Sequence, residues 1–151
     1  MLDHVKFARR YRMLEALKDT PITLVTDRNV ENLAGNVRVE APRSAKDLMA
    51  LMGRSKVVVC PSSHALGFHE YPFMAFTMGA TVISAPNGPL EGAFSNGTDI
   101  LFFRDAHSLR ASVNQALQHP EIGLRGREKA LSQFLPARLV EVIFNSPAVQ
   151  A

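Results

Sequence analysis

The chain has 151 residues, 46% hydrophobic and 21% charged, and its 17 lysines and arginines against 14 aspartates and glutamates leave a formal net charge of +3. That length gives one domain, 1–151, able to bury its own core, and the composition excludes a disordered tail, a collagen-like repeat and a charged heptad array. The basic excess is too mild and scattered for a nucleic-acid stripe, and no apolar run reaches the ~18 residues of a membrane span.

A single cysteine, Cys60, excludes an internal disulfide and a zinc site built on cysteine pairs. The first ten residues lack the apolar stretch of a signal peptide, so a cytoplasmic location is expected.

In chain order, Val5, Phe7, Ala8, Tyr11, Leu14, Ala16 and Leu17 recur at helical spacing, and Asp19-Thr20-Pro21 ends that helix. Residues 22–26 form a β-branched strand, 30–35 a short helix or turn, and 37–41 a second, alternating strand. Ser44 is a plausible N-cap for a helix carrying Leu48, Met49, Leu51 and Met52, stopped at Gly53. Residues 56–61 are apolar on both faces, the mark of a strand covered on both sides. Residues 62–71 show no period; Pro72 then suits the first turn of a helix running to Met78 and ended by Gly79. A fourth strand covers 81–85, and the turn-rich Pro86-Asn87-Gly88-Pro89 leads to a short helical stretch at 90–94. The Asn96-Gly97 turn, a fifth strand at 100–103, an amphipathic helix from Asp105 to Leu117, a break at 118–120 and a helical region from Ile122 to about Phe144 complete the pattern. The tail after Pro147 is expected to fray.

Strands alternating with helices, with fully apolar central strands, predict an α/β doubly wound domain: a Rossmann-like three-layer sandwich around a five-stranded parallel sheet. Ligands of such sheets sit outside the carboxyl ends of the strands. That rule nominates the loops at 27–29, 61–70 and 86–89. In the second, Ser62, Ser63, His64, Gly67, Phe68, His69 and Glu70 precede a helix N-terminus, whose free amides and dipole favour an anion such as a diphosphate. The same features serve a purely structural strand-to-helix connection.

His69 beside Glu70 suggests a donor to phosphate or a sugar hydroxyl, or a partly buried histidine. No third ligand stands at a recognisable spacing, so no metal site is expected. Ser62-Ser63-His64 lacks a nucleophile elbow. The chain has no Walker loop and no glycine-rich fingerprint after the first strand, which removes kinase, GTPase and simple dehydrogenase readings. The strand ending Cys60-Pro61 carries no phosphoacceptor aspartate.

The segment Val57-Val58-Val59-Cys60-Pro61-Ser62-Ser63, then Gly67-Phe68, then 73–84, resembles the donor-binding half of retaining glycosyltransferases of the two-domain GT-B fold. The likeness continues through Asn87-Gly88, residues 96–102 and the helix from Ser108. Phe68-His69-Glu70 with Phe73 and residues 125–131 is similar to the spore-maturation-type, bacterial branch. The resemblance implies a nucleotide-sugar donor with its diphosphate at Gly67, Phe68 and the following helix, supported by Ser62 and Ser63. Its base would lie near Ala41-Pro42-Arg43 and its sugar near Asn87-Gly88. His69 and Glu70 would orient the sugar or assist proton transfer, and Arg28 and Arg43 would contact base or phosphate.

Two positions depart from the family: Leu66 and Met74 stand where it usually has glutamates, and methionine cannot accept the ribose hydroxyls. The family's strand before the first helix is also missing, which would leave five strands in the order 2-1-3-4-5, and so is the acceptor domain. The implied function is donor binding for hexosyl transfer to a glycan, protein or small acceptor, without cofactor or metal and without turnover by this chain alone. A missing acceptor-binding domain or partner chain, and a possible homodimer, are the implied partners; no nucleic acid and no membrane are. The alternative is a catalytically inactive interaction or assembly module; a phosphate-sensing module drawing on the basic excess is a third reading.

Overall fold

A computed structural model describes residues 10–26, 30–31, 33–41, 44–61 and 70–134. Helix α1 occupies 10–16 of these. It is followed by β1 (Ile22–Val25), β2 (Val37–Glu40), α2 (Ala45–Arg54), β3 (Val57–Cys60), α3 (Glu70–Thr77) and β4 (Thr81–Ser84). Then come α4 (Gly88–Ala93), β5 (Leu101–Phe102), α5 (Ala106–Gln118) and α6 (Glu121–Gln133).

Local chemistry explains most of the boundaries. The Ser44 hydroxyl accepts from the Asp47 amide at 3.1 Å and starts α2. Past the predicted stop at Gly53, α2 runs to Arg54, where the Ser55 amide and hydroxyl donate to the Met52 and Leu51 carbonyls. At α5 the Asp105 carboxylate accepts from the Ser108 amide at 2.8 Å while the Ser108 hydroxyl accepts from the Asp105 amide at 3.0 Å, a reciprocal capping box. Helix α3 ends as Gly79 adopts φ +84°, its amide donating to Phe76 and the Ala80 amide to Ala75. Those two bonds form a Schellman motif, which favours glycine at this position.

All pairings are parallel. Ile22 pairs with Val37 in β1–β2; Val57 pairs with Thr81 in β3–β4, and Ile83 with Leu101 in β4–β5. The α/β class stands, but the expected five-stranded sheet in the order 2-1-3-4-5 does not: the strands form a two-stranded sheet, β1–β2, and a three-stranded sheet, β3–β4–β5. No pairing joins β1 to β3 among the described residues.

Met13 and Leu17 share one apolar layer with Leu109, Val113 and Ala116 of α5, and Asp19 reaches Arg110 of α5 at 3.3 Å. β3 packs against apolar layers on both faces, as its continuous apolarity predicts, but Val57, Val58 and Val59 remain partly exposed, whereas every residue of β4 is buried.

The core has two layers. Met13, Leu17, Ile83, Leu101, Phe103, Leu109, Val113 and Ile122 form one, with Ile22, Val57 and Val59 against it. Met52, Ala75, Phe76, Val82, Leu90, Phe94, Ile100 and Ala130 form the other, with Val58 and Met74 against it. Helix α6 approaches without side chains: a Cβ on Gly126 would overlap the Asp99 carbonyl and the Phe76 ring, and one on Gly123 would stand 2.9 Å from the Thr81 amide.

Candidate functional site

The layers define where the chain changes sides. Helices α2, α3 and α4 carry Met52, Phe76 and Leu90 on one face of the sheets, and α1 carries Met13 and Leu17 on the other. Ile22 of β1 packs against the same apolar layer as Val57 and Val59 of β3, so β1 and β3 are the strands on either side of the discontinuity. The carboxyl ends flanking that point are Val25-Thr26 of β1 and Cys60-Pro61 of β3, and the crevice above them is where a doubly wound sheet receives its ligand.

The loops that leave these two ends hold most of the candidate residues. Arg28, Arg43, Ser62, Ser63, Gly67, Phe68 and His69, together with Leu66, lie outside the described residues. Glu70 is described: it is exposed at the first position of α3, where the positive end of the helix dipole favours its charge. Asn87 is buried, and its Oδ1 accepts from the Leu90 amide at 3.2 Å, so it caps α4. Gly88 is exposed as the first residue of α4, with nothing within 4 Å of where a Cβ would stand. Asn87 and Gly88 follow the carboxyl end of β4, and the backbone bond from the Ala85 amide to the Cys60 carbonyl, 3.1 Å, ties that end to the end of β3. Met74 is partly buried against the apolar layer of Phe76 and Phe94.

Two features were not singled out by the sequence reading, one at each end of β5. Arg104, two residues past β5, adds an exposed cation to the carboxyl edge, and a basic residue directly after an apolar strand is the signal that marks it. Asp99 is 5% exposed, receives Lys129 at 2.9 Å and accepts from the Ser95 amide at 2.6 Å. It fastens α6 to the turn before β5; nothing in its spacing announces a partner 30 residues away.

Cys60 lies at the same edge but is buried, and burial pushes its thiol up to about 12, which leaves it protonated and unreactive at neutral pH. Among the described residues no cluster of three or more histidine, cysteine, aspartate or glutamate side chains could hold a metal ion.

With this geometry in place, comparison with known proteins is informative. The glycosyl transferase-like family pattern matches residues 9–145, nearly the whole chain. The chain belongs to the glycosyl transferase-like family. Its structure is similar to that of Anabaena HepE bound to UDP, with a TM-score of 0.73 at 16% identity over 91% of this chain and 45% of HepE. The HepE complexes with UDP-glucose and with UDP and glucose match over the same shares at 16% identity, with TM-scores of 0.71 and 0.68. At this identity the likeness establishes the fold, and the chain spans less than half the length of these solved relatives. No curated protein sequence matches the chain. No helix among the described residues is long and apolar enough to cross a membrane.

Proposed function

We propose that this single domain, 1–151, is the nucleotide-sugar-binding half of a GT-B-type retaining glycosyltransferase of the spore-maturation-type, bacterial branch, acting in the cytoplasm. One observation carries the reading: loops holding the candidate residues leave the carboxyl ends of the parallel strands β1 and β3 in a chain whose family is that of glycosyl transferases. HepE, which shares the fold, binds UDP and UDP-glucose, and that supports a nucleoside diphosphate sugar as the donor.

In this reading the diphosphate rests on the backbone of Gly67 and Phe68 and on the amino end of α3, with the hydroxyls of Ser62 and Ser63 beside it. Arg28 and Arg43 hold base or phosphate, and the sugar lies toward Gly88. Because the Asn87 carbonyl oxygen caps α4, Asn87 sets the position of that loop as well as facing the sugar. His69 and Glu70 orient the hexose. Helix dipoles and basic side chains, Arg104 among them, offset the leaving diphosphate without a metal or other cofactor. Transfer needs the acceptor held against the donor, so this chain binds without turning over until an acceptor-binding domain or partner joins it.

Titration calorimetry of the chain against UDP-, GDP- and ADP-hexoses tests the reading. Heat for at least one donor is expected, and His69→Ala weakens it while leaving the melting temperature in place. Absence of heat with every donor, or unchanged affinity in the variant, rejects the proposed site.

A second reading has its own observation. Met74, where the family usually places a ribose-binding glutamate, packs into the apolar layer and offers no acceptor, as expected of a domain that has given up its donor and serves assembly. A dimer in sedimentation together with no nucleotide protection in thermal melts favours that reading.

A further inference from the structure

Basic residues that lie scattered along the sequence meet in the fold at the amino ends of the strands, the edge opposite the candidate loops. Arg54 ends α2 and Lys56 precedes β3, and the Lys56 carbonyl accepts from the amide of Thr81, the first residue of β4, at 3.0 Å. A Cβ on Gly123 would stand 2.9 Å from that same amide, which puts the start of α6 at this edge. From there Arg127 Nε donates to the Thr77 carbonyl at the end of α3, 3.2 Å, and Arg125 Nε to the Thr98 carbonyl in the turn before β5, 2.7 Å. Each guanidinium uses one donor in this way and keeps its terminal donors for another acceptor.

All four cations are exposed, and none reaches a carboxylate among the described residues. Of the acids at this edge, Asp99 is neutralised by Lys129, so the four cations face only Glu121, which lies against His119, and Glu128. Between Gly123 and Arg125 stands Leu124, at 65% exposure the barest large apolar side chain among the described residues. Gly123 and Gly126 turn the other side of α6 to the sheet, so Leu124 and Arg127, three residues apart, project outward together. Leu117, in the last turn of α5, is exposed at the same elbow.

We propose that this amino edge docks on an anionic lipid bilayer, with Leu124 and Leu117 entering the headgroup boundary and Arg54, Lys56, Arg125 and Arg127 on the lipid phosphates. A scattered basic excess gives no reason to expect a membrane partner; the gathered one does, because its charge complements that surface. The leucines decide between anionic surfaces. A single-stranded nucleic acid would want aromatic stacking platforms, and the exposed aromatic side chains among the described residues, Tyr11 on α1 and Tyr71 at the start of α3, lie elsewhere. Docking stands apart from donor binding: on the bilayer, the chain holds the carboxyl ends of its strands, and the loops beyond them, toward solution.

Flotation of the full chain with lipid vesicles tests it. Vesicles of phosphatidylcholine with about 30% phosphatidylglycerol are expected to carry at least about tenfold more protein than pure phosphatidylcholine at about 0.1 M salt, and about 1 M salt releases it as the screening length falls from about 10 Å to about 3 Å. Arg54→Glu with Lys56→Glu is expected to weaken binding about tenfold, while Arg10→Glu with Lys46→Glu, an equal change of net charge outside this edge, keeps it within about twofold. The chain has no tryptophan, so Leu124→Trp adds a single reporter whose emission is expected to shift to the blue on anionic vesicles. No binding to anionic vesicles, equal binding to neutral ones, equal loss from the two double variants, or an unshifted tryptophan overturns the proposal. So does capture by single-stranded RNA or duplex DNA without capture by vesicles. Calorimetry reads donor binding separately, so either idea can fail alone.

Discussion

The two sheets of this domain are built from similar strand sequences and reach different states. Every residue of β4 is buried, sandwiched between α5 on one side and α3 on the other, and its ends are held by turns with fixed chemistry. In β1–β2, alternate residues of β1 are exposed, Val25 is 43% and Val39 42% exposed, and no described helix covers the face that carries Thr23, Val25 and Arg38. A strand is therefore as well packed as its neighbours allow; apolarity alone does not bury it. β3 makes the point within one element, since three consecutive valines stay half-covered and, among the described residues, only its edge toward β4 is paired.

Breaking the well-packed half gives the largest effect. Phe76 is fully buried, stacks on Phe94 at 4.5 Å and meets Phe73 edge to face. Phe76→Ala is expected to cost about 3–5 kcal/mol in urea unfolding. A loss below ~1 kcal/mol would mean that the aromatic layer is not the anchor of this half.

Gly126→Ala comes next. Its methyl group meets the Asp99 carbonyl and the Phe76 ring, neither of which can yield freely, so about 1–3 kcal/mol is expected to be lost in the same measurement.

Acid sharpens the contrast by a smaller step. The Asp105 carboxyl is held below the usual carboxylate range chiefly by the backbone amide of Ser108, then by its hydroxyl. A lowered folded-state value means the cap stabilises at pH above the unfolded value of about 4 and fades as pH falls through the folded one. The wild-type chain should lose melting temperature over that window more steeply than Asp105→Asn, and parallel curves would remove the capping box from the account.

The smallest effect belongs to the open half: Val39→Thr on β2 should change stability by less than ~0.5 kcal/mol, and a larger loss would reveal cover over the face Val39 shares with Leu24.

How much of this was legible in the sequence follows from the range of each interaction. The cap at Ser44, the start of α5 at Asp105, the stop at Gly79 and the strand at 81–85 depend on residues within five positions, and they were read to within a residue or two, although Asp105 was read as the first helical residue and not as a cap. Asn87 was read as a turn residue, although an asparagine followed two places later by proline is also an N-cap signal, and that is its role at α4. The split sheet was not legible. Val57-Val58-Val59 looks the same whether a neighbour stands on one edge or two. The loops nominated by the carboxyl-edge rule follow the described strands β1, β3 and β4 in the chain, because parallel connectivity alone dictates that edge. Arg104 and the Asp99–Lys129 pair escaped because their significance comes from neighbours that periodicity does not show.

The edge of β3 also bears on how the protein behaves when concentrated. Along β2 the charged Arg38 and Glu40 discourage stacking of one chain against another, but Val57-Val58-Val59-Cys60 presents a short, uncharged, β-branched ribbon with no proline to interrupt it. Stock solutions should therefore turn fibrillar first through this ribbon, and a lysine in place of Val58 is the gatekeeper that would keep them clear.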